Sequence, residues 1–239
     1  MPASIYIRGG AGGGQTCAPA ADPGALVACN CEKVKLKFTV AQPRFRVECC
    51  CVDCNDAHRW AESKGGPKDS GMGRGADLWY FENDFQVLAG NEHIAFHVLS
   101  EGYATTRLVA TCCYSTLAGD HPGYMGNVAV VYGDSLRSGT FMPQQMRINT
   151  DDLSAEDQAL LAPREFPKGV TRNFSDEAEL AKAMEGYGSS ATEPPSTSEG
   201  RTIQAVIKEK GVTSCGWTPT NGKVTPFKLK PEEVEARGY

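Results

Sequence analysis

The chain has 239 residues, 10 cysteines, a hydrophobic share of 41% and a formal net charge of −5. An acidic balance, with a sequence pI of about 5.5, supplies no global positive field and argues against a nucleic-acid partner. No apolar run approaches the roughly 20 residues of a conventional membrane-spanning helix, so a soluble protein without a membrane partner is expected.

In chain order, residues 1–24 are rich in Gly, Ala and Pro and read as a poorly ordered lead-in, apart from a short strand at Ser4–Ile7. They lack the apolar core of a secretory signal, so an intracellular, cytoplasmic and reducing setting is expected. From Ala25 the pattern changes. In VKLKFTV, the apolar residues Val34, Leu36, Phe38 and Val40 alternate with polar ones, as in a strand with one buried face. Further strands are expected in FQVLAG, around HIAFHVL, in TTRLVATC and in NVAVVYG, with a flexible loop over Lys64–Ala76. Short strands between Gly, Pro and Asn turns predict a mainly β, largely antiparallel domain over residues 25–148.

Beyond Ile148 a mixed, partly helical C-terminal extension is expected over residues 149–239. Ser154 caps a short helix that Pro163 ends, and Ser175 caps a second through Glu185. Residues 188–200, GSSATEPPSTSEG, read as a flexible segment. Residues 201–239 form a modest basic tail, read as solvated surface.

Cysteine spacing carries the functional signal. Cys29 and Cys31 form a Cys-x-Cys pair, and Cys49, Cys51 and Cys54 form a Cys-x-Cys-x-x-Cys triplet with Cys50 inside it. Cys112 and Cys113 arrive downstream as a vicinal pair. Zinc takes four tetrahedral N or S ligands, and thiols one or two residues apart on tight turns suit it. A disulfide framework is the competing reading, but consecutive cysteines pair poorly because neighbouring side chains point apart. All seven residues (Cys29, Cys31, Cys49, Cys51, Cys54, Cys112, Cys113) are therefore candidate Zn2+ ligands, while Cys17 and Cys215 read as ordinary thiols.

The segments CNCEKVKLKF and CCCVDC, and the vicinal cysteines before STLAG, resemble the glutathione-dependent formaldehyde-activating enzyme family, which includes centromere protein V. The match spans about residues 25–130. The resemblance implies a twisted, mostly antiparallel β fold with two zinc sites. The outer cysteine pairs would form a closed structural site, and Cys49, Cys51 and Cys54 an open one that accepts a thiol. It also implies a carbon–sulfur lyase acting on an adduct of a small thiol such as glutathione.

Three positions depart from the family pattern. Glu32 stands where a glycine commonly follows the first Cys-x-Cys. Adjacent Cys112 and Cys113, followed by Tyr114-Ser115-Thr116, replace a Cys-x-x-Cys-Gly-Thr-Pro turn. If the turn fixes the alignment, Cys113 matches the second family cysteine; if the first cysteine fixes it, Ser115 occupies the lost ligand position. Cys50 is an additional thiol that could compete as a ligand or pack in the core.

Other residues give weaker signals. His58 reads as a surface helix histidine near the triplet, and His93 and His97 as strand neighbours on one face. Asp53, Asn55 and Asp56 would orient the triplet loop or satisfy a turn. The glycines of GGAGGG lack the ending of a phosphate loop. Two functions compete: a zinc-dependent carbon–sulfur lyase, or a non-catalytic binding module stabilised by zinc.

Overall fold

The computed structural model describes residues 24–68, 75–99, 105–121, 124, 126–161 and 200–210. The expected strand at Ser4–Ile7, the Ser175–Glu185 helix, Cys17, Cys215 and nearly all of the 188–200 segment lie outside these residues. The described part is mainly β, with a four-stranded sheet and a seven-stranded sheet. Among the described residues no helix is long and apolar enough to cross a membrane.

The small sheet has the order β10-β1-β2-β5, built from β1 (Ala25–Ala28), β2 (Lys35–Phe38), β5 (Phe85–Ala89) and β10 (Leu136–Ser138), all antiparallel. The large sheet runs β11-β3-β4-β9-β8-β7-β6, from β3 (Phe45–Cys49), β4 (Ala76–Glu82), β6 (Ile94–His97), β7 (Thr106–Ala110), β8 (Ser115–Asp120), β9 (Val128–Tyr132) and β11 (Met146–Ile148). Its pairings are antiparallel except β11 on β3, which is parallel.

Alternation along the central strands decides what each face of the large sheet does. On β4, Trp79 and Phe81 point into a core shared with Val27, Leu36 and Phe38 of the small sheet. Their neighbours Leu78 and Tyr80 point the other way, into a second cluster with Val47, Val130 and Tyr132. A sheet buried on both faces needs apolar residues at nearly every position, which is why VAVVY of β9 is buried throughout. The strict alternation of β2, with Leu36 and Phe38 buried between half-buried lysines, marks a sheet with one wet face.

Helix α1 (Val52–Ser63) covers part of the second face through Cys54, Ala57, Trp60 and Ala61. It stops at Lys64, where Gly65 takes a φ of 82° and Gly66 N–H returns to the Ala61 carbonyl at 2.8 Å. Helix α2 (Ala155–Ala159) is capped by Ser154, whose Oγ accepts from Asp157 N at 3.1 Å. Helix α3 (Ile203–Lys210) differs from its expectation as solvated tail. Ile203, Val206 and Ile207 are fully buried in the core between the sheets. Their spacing gives one apolar face, while the lysines that give the segment its basic charge lie on the other.

Candidate metal centre

The strand ends bring the candidate cysteines into two groups. In the first, Sγ atoms of Cys29, Cys31, Cys112 and Cys113 all lie within 4.8 Å of one another. Cys29 and Cys31 lie in the turn between β1 and β2, and Cys112 and Cys113 in the turn between β7 and β8, so the group ties the two sheets together. Separations are 3.6 Å for Cys29–Cys31, 3.8 Å for Cys29–Cys112 and 3.3 Å for Cys31–Cys112. A disulfide would need about 2.05 Å, whereas thiolates on one tetrahedral zinc at about 2.3 Å stand about 3.8 Å apart. All eight described cysteines are free thiols.

Two tight turns make this group possible. Glu32 follows the first pair with φ 63°, and Tyr114 follows the second with φ 53°. Both occupy the left-handed region, which glycine enters without steric cost and other residues enter at a penalty. Glu32 forms exposed ion pairs to Arg137 at 3.1 Å and Lys35 at 3.2 Å. Tyr114 is held by edge packing on Trp60, with ring centroids 5.8 Å apart.

Both vicinal thiols join the group. Ser115 supports rather than replaces them: its Oγ lies 3.2 Å from Cys113 Sγ and accepts the Asn30 N–H at 2.9 Å. Cys29 Sγ accepts the Val34 N–H at 3.3 Å. Burial pushes the Cys113 thiol up, but hydrogen bonds from Ser115 and Cys31 outweigh it and bring the pKa down to about 6.

The second group is Cys49, Cys51 and Cys54, again with Sγ atoms within 4.8 Å. Cys49 ends β3, Cys51 caps α1, and Cys54 sits in its first turn. Cys49 and Cys51 sulfurs are 3.4 Å apart, and Cys51 Sγ accepts the Cys54 N–H at 3.3 Å. Hydrogen bonds from the Cys49 and Cys54 thiols bring the Cys51 pKa down to about 3, with Arg107 contributing. The helix N-terminus favours the same thiolate.

Cys50 stays out of this cluster. Its side chain packs toward Gly75, where an added Cβ would stand 2.8 Å from its sulfur, and burial pushes its pKa up to about 12. The alternative of packing in the interior is the one observed.

The loop is fixed from all sides. Asn55 Nδ2 donates to the Cys50 and Cys51 carbonyls at 2.9 and 3.1 Å. Asp53 pairs with Arg107, and Asp56 is buried against Arg59 at 2.9 Å. The parallel pairing of β11 sets Ile148 beside Cys49, which lets Asn149 Nδ2 donate to Cys49 Sγ at 3.5 Å.

A cavity of about 480 Å³ opens against the triplet, lined by Cys49, Cys51 and Cys54 together with Tyr80, Tyr124 and Tyr132. The Tyr80 and Tyr124 hydroxyls are 3.2 Å apart. Burial raises the pKa of both phenols, keeping them protonated.

The three histidines singled out in the sequence lie elsewhere. His58 is half-buried on α1, with its ring 6.0 Å from that of Tyr132, and His93 belongs to a short 3-10 turn (Asn91–His93) rather than a strand. His97 is fully buried, stacked 4.2 Å from Trp60. None joins a cysteine group.

Sequence reasoning missed Arg107, Asn149 and the tyrosines. The period-two pattern of DLWYFE could have placed Tyr80 on the face opposite Trp79; Arg107 and Asn149 have no local signal. The chain matches no protein-family model and no curated protein.

Proposed function

We propose that the protein is a zinc-dependent carbon–sulfur lyase-like enzyme that acts on a small thiol adduct, with glutathione the first thiol to assay. Cys29, Cys31, Cys112 and Cys113 hold a closed structural zinc, and Cys49, Cys51 and Cys54 hold an open one. The observation that carries this reading is the cavity against the three-thiol cluster. Four thiols complete a tetrahedral shell, whereas three leave a place for substrate, and here that place faces a cavity large enough for one.

Bound at the triplet, zinc would supply a positive charge that holds an incoming thiol as thiolate. The remaining chemistry belongs to the chain. When a thiolate adds to an aldehyde, the carbon–sulfur bond forms, the carbonyl π electrons move to oxygen, and that oxygen takes up a proton. The hydroxyl pair of Tyr80 and Tyr124 is the proton donor in the cavity, and in cleavage the same pair receives the proton back.

The resemblance to the formaldehyde-activating enzyme family supports the same reading. Glu32 and Tyr114, the two residues held at positive φ after the cysteine pairs, stand where that family carries glycines. A left-handed backbone at both positions is compatible with the glycines of that pattern.

The test follows formation and breakdown of the glutathione–formaldehyde adduct by wild type and by Cys54→Ser. Turnover above the solution reaction that disappears in Cys54→Ser supports the reading. Wild-type turnover no faster than solution, with the triplet filled, removes glutathione as the thiol, and the same result with an uncharged thiol points instead to a zinc-stabilised binding module.

A further inference from the structure

The cavity beside Cys49, Cys51 and Cys54 has walls of a definite chemistry. Phe45, Val47, Leu78, Val130 and Ile148 line it, and Phe45 stacks on Tyr80 with ring centroids 4.0 Å apart. Among the described lining residues none is a lysine or arginine, and two are aspartates, Asp53 and Asp152. Arg107, the buried cation nearby, is already engaged by Asp53 at 2.7 Å and by the Tyr132 hydroxyl at 2.9 Å. His121 also lines the cavity, its ring 5.4 Å from that of Tyr124.

These walls discriminate by charge. A carboxylate brought into this cavity loses hydration; no lysine or arginine among the described lining residues recovers that loss, and a zinc ion held by three thiolates would carry a single net negative charge. Asp152 in the lining adds repulsion, while Asp53 is neutralised by Arg107. Glutathione carries two carboxylates. A phenyl or branched hydrocarbon group carries none and packs against aromatic and β-branched walls at no desolvation cost. Space is sufficient, since an apolar cavity of about 150 Å³ already accepts benzene and this one measures about 480 Å³.

We infer that the open site takes an uncharged ligand: a thiol, or its aldehyde adduct, whose body is an aromatic or branched hydrocarbon group held by Phe45, Tyr80, Val130 and Ile148. The sulfur end rests on the thiol-adduct reading above; the hydrocarbon end rests on the cavity alone.

Calorimetric titration of the full zinc-loaded chain separates the two. Benzyl mercaptan, glutathione and toluene, which has the ring but no sulfur, are the probes. Benzyl mercaptan is expected to bind at least tenfold tighter than glutathione, and toluene to bind measurably and to compete with it. Val130→Phe and, independently, Ile148→Phe fill the cavity and should weaken toluene at least tenfold, each checked for an unchanged melting temperature. The wild-type ranking decides even if neither variant folds. Glutathione binding as tightly as benzyl mercaptan, or no toluene binding, overturns the hydrocarbon class. Toluene binding as tightly as benzyl mercaptan overturns the sulfur end and the thiol-adduct reading with it.

Discussion

Arg107 and Asp53 form a charge pair at 2.7 Å in which the guanidinium is completely buried and the carboxylate nearly so. The pair joins β7 to the first turn of α1, between two of the triplet cysteines, and Arg107 Nη2 also donates to the Asp53 carbonyl at 3.2 Å. Strand β7 is thereby tied to the turn that carries Cys51 and Cys54.

Replacing Arg107 by Met removes the cation and leaves Asp53 against an apolar interior. Breaking a buried pair from one side costs about 3 kcal/mol. Chemical denaturation should show that loss, and chelator competition should show weaker metal retention at the triplet with the four-thiol group unaffected.

Glu32→Gly places the unhindered residue at a φ of 63°. The ion pairs it loses to Arg137 and Lys35 are solvent-exposed and contribute little. The melting temperature should rise. A fall would mean that the Glu32 side chain, rather than the turn backbone, holds the Cys29–Cys31 loop in place.

His97 gives the protein a pH dependence of known sign. Burial, with Arg107 adding to it, lowers its pKa to about 3, and both ring nitrogens lack a hydrogen-bond partner among the described residues. The unfolded chain protonates this histidine below about 6.5 while the folded chain does not. Stability is therefore complete above that pH and falls as pH drops from about 6.5 toward 3, by roughly 1.4 kcal/mol per unit. Because acid also releases metal from thiolates, the comparison is with His97→Phe. That variant should lose less stability between pH 6.5 and 5 than wild type does, by about 2 kcal/mol.

Tyr124→Phe removes one hydroxyl of the cavity pair. Proton donation of this kind contributes about 100-fold or more, so adduct turnover should fall by about that factor with thiol binding unchanged. Equal loss of binding and turnover would make Tyr124 a wall residue only.

The sequence made some of this fold legible and hid the rest for physical reasons. Strands with one wet face announce themselves, and β2 follows the alternation of Leu36 and Phe38. Strands β3 and β4 escaped because both faces of the large sheet are covered, which erases the alternation. The burial of α3 was masked by its charge, since counting lysines overlooks the Ile203, Val206 and Ile207 stripe.

At the site, close spacing in sequence was enough to group Cys49, Cys51 and Cys54. What spacing could not supply was the cavity. Tyr124 lies 44 residues from its partner Tyr80, and Arg107 lies 54 residues from Asp53. Both relationships come from strand order. The choice between Cys112, Cys113 and Ser115 likewise depended on the Tyr114 turn, whose φ of 53° directs both thiols to the group and leaves Ser115 as a hydrogen-bonding support.

The proposed division into a closed and an open site separates two cysteine variants. Cys29→Ser opens the clamp between the sheets and should cost more than about 3 kcal/mol, or roughly 6–12 °C in Tm. Cys54→Ser removes a ligand from one loop and should cost under about 1.5 kcal/mol. Equal losses would make both sites structural.

Metal stoichiometry tests the division most directly. Zinc measured by elemental analysis on the purified full chain, on Cys54→Ser and on Cys112→Ser/Cys113→Ser should give two ions per chain for wild type and one for each variant. The ion retained by Cys54→Ser should resist chelators, and the ion retained by the double variant should exchange. One ion in wild type that survives Cys54→Ser unchanged would contradict the open site.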